Sequence, residues 1–166
     1  MERLDPVQLH VQVHDWTDPV VAELVEEVQG EYVVRYGDRD LTPVDPDEFR
    51  LPRGFVLVGW CDGVPAGSVA MRAAAEPGAA EMKRLYVRAT HRRRGLARVL
   101  LHAAEDRARE VGYTRVVLET GVRQPEAIAL YEAEGYTPVA GFGYYADMPS
   151  SRYFGLDLSA GGRSPR

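Results

Sequence analysis

Cysteine is almost absent: Cys61 is the single one among 166 residues. That excludes an internal disulfide framework and fits a reducing, cytoplasmic compartment. Cys61 ends an apolar segment with no histidine adjacent, so it reads as an inert buried thiol. Long apolar runs are missing as well; nothing approaches the roughly 18 residues of a transmembrane helix. The start, Met1 to Pro6, lacks the apolar core of a secretory signal. Histidine is scarce, and His10, His14, His91 and His102 have no metal-ligand spacing, so no metal is expected. No internal repeat or low-complexity linker breaks the chain. Its length suits one domain, 7–158, followed by a disordered tail at 159–166.

What is present is unevenly distributed. The net charge is −5, yet seven basic residues and no acid lie between Lys83 and Arg98. Between Asp15 and Glu48 stand eleven acids against Arg35 and Arg39. Such segregation suggests a basic site for an anionic ligand beside an acidic neighbourhood for something cationic. Two differently charged solvated faces are the plainer alternative.

Hydrophobic periodicity orders the elements. Val7 to Val13 alternates as a strand. Asp18-Pro19 supplies an N-cap and first-turn proline for a helix whose apolar face is Val21, Leu24, Val25 and Val28, running toward Tyr36 before Gly37. A polar loop with a short helical piece spans Asp38 to Leu51. Phe55–Trp60 and Val64–Met71 read as a hairpin around Cys61-Asp62-Gly63. After a turn at 76–78, a strand begins near Glu81. Leu96, Val99, Leu100, Ala103, Ala104, Ala108 and Val111 recur at helical spacing until Gly112. Arg115–Thr120 is the next strand, Pro125 to Gly135 a further helix, and Tyr136–Val139 and Arg152–Leu158 the last strands. The order predicts an α/β domain: a mixed sheet of six to seven strands with helices on both faces.

The segment from Arg92 to Ala97, Arg-Arg-Arg-Gly-Leu-Ala, joins a strand to an apolar-periodic helix. A helix start carries unpaired N–H groups and the positive end of the dipole, glycine admits a close anion, and arginines add charge-assisted hydrogen bonds. A diphosphate-bearing ligand is expected. A Walker-type loop and a dinucleotide fingerprint are both missing. At these residues the chain resembles the GCN5-related N-acetyltransferase (GNAT) family. Arg92–Ala97 matches that family's Q/R-x-x-G-x-G/A motif. Leu85-Tyr86-Val87, Leu118-Glu119-Thr120 and Ala129-Leu130-Tyr131-Glu132 with Gly135-Tyr136 look like its fourth strand, fifth strand and following helix. The resemblance covers Val7 to Leu158 in element order and Glu81 to Thr137 in detail.

The resemblance implies the acyl-CoA N-acyltransferase fold, acetyl-CoA as acyl donor and transfer to an amine by direct attack. It implies that Arg92, Arg93, Arg94, Gly95, Leu96 and Ala97 hold the pyrophosphate. Backbone groups of Leu85, Tyr86 and Val87 would guide the pantetheine arm through a gap between the fourth and fifth strands, and the N–H near Leu85 would polarise the thioester. Glu81, eleven residues before Arg92, stands where the family's strand-four base stands, and Tyr131 where its general acid stands. The asparagine usual after the fifth strand is replaced by Arg123-Gln124-Pro125, leaving Gln124 or Glu126 as substitute.

The acceptor side is implied to lie along the first helix and the last inter-strand loop: Tyr32, Tyr36, Asp38, Asp40, Phe142, Tyr144 and Tyr145, with Glu119 nearby. Acids and aromatic faces suit a small cationic amine. A peptide or protein amine is the alternative acceptor, and a non-catalytic CoA-binding regulatory module the alternative class. Nucleic acid and membrane are not expected partners; a homodimer is left open.

Overall fold

The computed structural model describes residues 8–158. The readings made at 1–7 and at the tail 159–166 lie outside the described residues. The chain runs β1 (His10–His14), α1 (Pro19–Tyr36), a 3₁₀ turn (Pro46–Phe49), β2 (Phe55–Cys61), β3 (Val64–Ala73), β4 (Ala79–Val87), a 3₁₀ turn (Ala89–His91), α2 (Leu96–Val111), β5 (Arg115–Gly121), α3 (Pro125–Ala133), β6 (Thr137–Pro138) and β7 (Ser151–Asp157). These strands form one sheet in the order β1-β2-β3-β4-β5-β7-β6. Only β4 and β5 pair in parallel; every other neighbour is antiparallel.

The hairpin between β2 and β3 turns on Asp62 (φ 50°) and Gly63 (φ 77°), the positive-φ pair a two-residue primed turn needs. Asp18 occupies the N-cap position of α1, as its sequence predicts, but its carboxylate does not cap that helix. It accepts the Asp15 N–H at 3.1 Å and meets His14 Nδ1 at 3.0 Å instead. On α1 the residues 21, 24 and 28 are buried as expected, whereas Val25 is half-buried and Gln29 takes a buried place. Pairing at 136–139 shrinks to Thr137–Pro138, held beside β7.

Both faces of the sheet are covered, so β2 is buried almost throughout rather than alternating. One face packs Phe55, Met71, Met82, Leu100, Leu101 and Leu118 beneath α2 and α3. The other packs Val21, Leu24, Val28, Phe49, Val58 and Tyr86 beneath α1 and the first 3₁₀ turn.

The site is made by a failure of pairing in mid-sheet. The β4–β5 ladder runs from Ala79↔Arg115 to Met82↔Leu118 and stops. Beyond it β5 stays with β7 as far as Gly121↔Ser151. β4 stays with β3, but with one extra residue: Lys83 faces Ala70 while Tyr86 faces Ser68. Arg84, at φ 56°, sits in that bulge. A bulge bends its strand and raises the local twist, so β4 turns away from β5 and opens the sheet.

Candidate active site

A cavity of about 430 Å³ occupies this opening. Its floor is the two diverging strands, Met82, Arg84 and Leu85 on β4 and Glu119, Thr120 and Gly121 on β5. Tyr32, Tyr36 and the 38–41 loop form one wall; Gln124, Ala127 and Tyr131 of the α3 region form another. Tyr145 and Ser151 close it from the β6–β7 side.

Of the residues singled out by sequence, Tyr131, Glu119, Leu85, Gln124, Tyr32, Tyr36, Asp38, Asp40 and Tyr145 meet in this cavity. Tyr131 is buried against Tyr136 and Phe154, with ring centroids 5.6 and 6.3 Å away. Burial, and secondarily the charge of Glu119, push its phenol well above the ordinary range, so it remains a proton donor. Glu119 lies one residue past the last β4–β5 pair. Burial raises its carboxyl, with Asp40 and Glu81 adding to the shift and a Ser151 hydrogen bond and Lys83 opposing it. Gln124 donates to the Tyr36 hydroxyl at 3.3 Å. Gly121 is required beneath Tyr36, because a Cβ there would collide with that hydroxyl.

Other expected residues lie elsewhere. Glu81 is outside the cavity lining, directly opposite Arg72 on β3, and accepts from its guanidinium at 3.2 Å. Both side chains are largely buried, and Glu48 approaches Arg72 at 3.8 Å. Tyr86 points under α1 and donates to Glu27 at 3.2 Å. Tyr144 is 58% exposed and, like Phe142, does not line the cavity. From that loop Tyr145, Met148 and Ser150 reach it, and the Tyr145 hydroxyl accepts the Leu41 N–H at 2.8 Å.

The glycine turn lies at the start of α2. Gly95 adopts φ 75°, no side chain caps the helix, and its first turn carries no acid. Arg92 is exposed but folds back on the turn: its Nε donates to the Val87 carbonyl at 2.9 Å, its guanidinium pairs with Glu31 and lies 5.7 Å from the Tyr86 ring. Arg93, at φ 65°, and Arg94 are exposed. Leu96 is buried on Cys61 and Ala66, anchoring the helix start to the β2–β3 hairpin. The buried state of Cys61 matches its expected role as a packing group.

Sequence reasoning passed over Gln29. Its amide clamps the backbone of Asp40, accepting the N–H at 2.8 Å and donating to the carbonyl at 3.3 Å. A polar residue on an otherwise apolar helical stripe was its signal. Arginines are the second omission: Arg39, Arg84 and Arg123 line the cavity together with Asp38 and Asp40. Among the described residues no group of three or more His, Cys, Asp or Glu is placed to hold a metal, and no helix is long and apolar enough to cross a membrane.

A seven-stranded sheet parted between its parallel strands, with a cavity in the gap, is the acyl-CoA N-acyltransferase fold. A Klebsiella pneumoniae structure assigned to that class superposes with a TM-score of 0.76 at 28% identity, covering 90% of this chain and 97% of the other. A Bacillus subtilis acetyltransferase in complex with CoA gives a TM-score of 0.64 at 16% identity, covering 90% and 99%, and shares the fold. The acetyltransferase (GNAT) family profile matches residues 21–136. In sequence the chain is 33% identical over 133 residues to the IAA acetyltransferase of Azospirillum brasilense, 80% of this chain and 87% of that protein. The chain belongs to the acetyltransferase (GNAT) family and is an N-acetyltransferase.

Proposed function

We propose that this protein transfers the acetyl group of acetyl-CoA to the primary amine of a small molecule by direct attack. One observation carries the reading: Glu119, a carboxylate with raised proton affinity, and Tyr131, a phenol held protonated, line one cavity between the parted strands. An acceptor entering as its ammonium ion meets the faces of Tyr32 and Tyr36.

The turn before α2 fits a diphosphate. Its helix start is uncapped and free of acids, Gly95 keeps side-chain atoms away, and Arg93 and Arg94 are left exposed to supply charge. Arg92 has a structural share, since it holds the turn against Val87 and Glu31. Bound acetyl-CoA supplies the thioester, whose C–S bond breaks as the N–C bond forms. Glu119 takes a proton from the acceptor ammonium, and the Tyr131 hydroxyl returns one to the departing sulfur. The Leu85 N–H, on an edge of β4 that β5 has left, polarises the carbonyl. Gln124, at the start of α3, stands where it can hold the arm by its amide. This assigns the base to Glu119 in place of Glu81, whose carboxylate Arg72 occupies.

The test is thiol release from acetyl-CoA across a panel of small amines and lysine peptides. Release that depends on a small amine supports the reading. Acetylation of peptides alone, or CoA binding with no turnover on any amine, overturns it. Separately, Arg93→Glu with Arg94→Glu raises the Kd for CoA by at least about tenfold, more at low salt than at high, because both charges are exposed to screening. Calorimetric titration at two ionic strengths measures it.

A further inference from the structure

Two neighbouring cations at the cavity floor share a single close carboxylate. Lys83 and Arg84, 9% and 7% exposed, both approach one carboxylate, Asp40, at 3.5 and 3.6 Å. Asp40 also accepts the Thr42 hydroxyl at 2.6 Å and its N–H at 2.9 Å. The other charges near the cavity include Glu119, the proposed base, and Arg123, whose guanidinium donates to the Arg35 carbonyl at 2.7 Å and lies 6.0 Å from the Tyr36 ring. Glu81 belongs to Arg72. Arg39 pairs with Glu26 at 2.7 Å, and Asp38 accepts the Arg39 N–H at 2.8 Å.

Arg84 is the cation of that pair that lines the cavity. Its guanidinium lies 5.4 Å from the Trp16 ring. Its approach to Asp40 is longer than a hydrogen bond, and its buried Nε–H has no partner among the described residues. A guanidinium has five donors in a planar fork that matches a carboxylate, and leaving such donors buried without partners is costly. The backbone bears strain at this point too: Arg84 is a non-glycine residue in the left-handed region. The bulge that parts the strands is thus the same feature that delivers this side chain to the gap.

We propose that Arg84 determines acceptor specificity by pairing with a carboxylate of the acceptor, so that the acetylated molecule is an amino acid, or an amino-acid conjugate, with a free carboxylate beside its primary amine. The inference rests on the N-acetyltransferase reading of this cavity. Arg84 lies two residues past the last β4–β5 pair and Glu119 one residue past it on the facing strand. A molecule whose carboxylate meets Arg84 therefore has its amine at the side where Glu119 stands. This turns the acceptor from a simple cation into a zwitterion.

Thiol release is measured for matched trios at saturating acetyl-CoA: an amino acid, its amide, and the decarboxylated amine, across several apolar and polar side chains. The amide has the least basic amine and the most free base at a given pH, so preference for the acid over the amide runs against intrinsic reactivity. The expected result is a kcat/KM at least about tenfold higher for the acid than for both analogues in one or more trios. Arg84→Gln brings that ratio close to one and Arg84→Lys keeps part of it, with circular dichroism showing both variants folded. A wild-type ratio at or below one in every trio overturns the assignment, as does Arg84→Gln lowering all three members equally. Acetylation without regard to the carboxylate overturns only this inference; thiol release with no amine at all overturns the transfer reading beneath it.

Discussion

Tyr131→Phe lowers kcat about a hundredfold while the Kd for CoA stays within about twofold, as expected for removing one proton donor from a site that otherwise keeps its shape. The ring is held by Tyr136 and Phe154 under the sheet, so deleting the hydroxyl leaves the packing in place. Only the phenol's proton is lost. Burial pushes the group above the ordinary range of about 10, so the wild-type enzyme shows no basic limb from this residue at neutral or mildly alkaline pH. Stopped-flow thiol release with calorimetric CoA binding checks both halves. An equal loss in CoA affinity would mean that Tyr131 is a packing residue of the cofactor wall.

Glu119→Gln produces the other large effect, a fall in kcat/KM of about a hundredfold or more, together with loss of the acidic limb of the pH profile. The wild-type limb lies above the ordinary glutamate value of about 4.3, because burial favours the protonated carboxyl. The same variant is expected to melt a few degrees higher at neutral pH. A carboxyl whose folded-state pKa is raised binds its proton more tightly folded than unfolded, so stability declines as pH rises between the two values. The ionised, half-dry carboxylate is a standing cost above that window, and the amide removes it. Below about pH 4 the gain disappears. Calorimetric scans across pH, beside rate profiles, read both signs from one protein. Glu81→Gln separates the two carboxylates: it leaves the acidic limb in place and lowers the melting midpoint, because Arg72 loses its charged partner.

The glycine turn before α2 was readable from the sequence, and Gly95 takes the positive φ expected of it. Gly95 between arginines and an apolar helix announces an anion site, because the requirement is local: a positive φ, open N–H groups and nearby charge. Tyr131 was singled out by the family resemblance of its helix, and it lines the cavity. The parting of β4 from β5 was implied by the family resemblance alone and not by the residues, since it depends on a bulge at Arg84 that no propensity marks. The ion pair between Arg72 and Glu81 could have been found by counting outward from Glu76-Pro77, which places the two residues opposite each other. Read as a lone strand residue, Glu81 looked available; read across the hairpin, it is spoken for. The acceptor wall was harder. Acids crowd the segment from 15 to 48, but Arg84, which approaches Asp40, comes from β4 and Arg123 from the β5–α3 turn, and only the fold brings them to one cavity.

The four-pair seam between β4 and β5 has a mechanical meaning as well as a chemical one. The sheet is two half-sheets, β1 to β4 and β5-β7-β6, sewn together at one end and free at the other. Whatever lies between the free edges with amides of its own acts as a removable strand, and completes the stitching. Occupancy of the gap then governs cooperativity: with it filled the halves unfold as a single body, and with it empty the short half that carries β6 is the first to loosen.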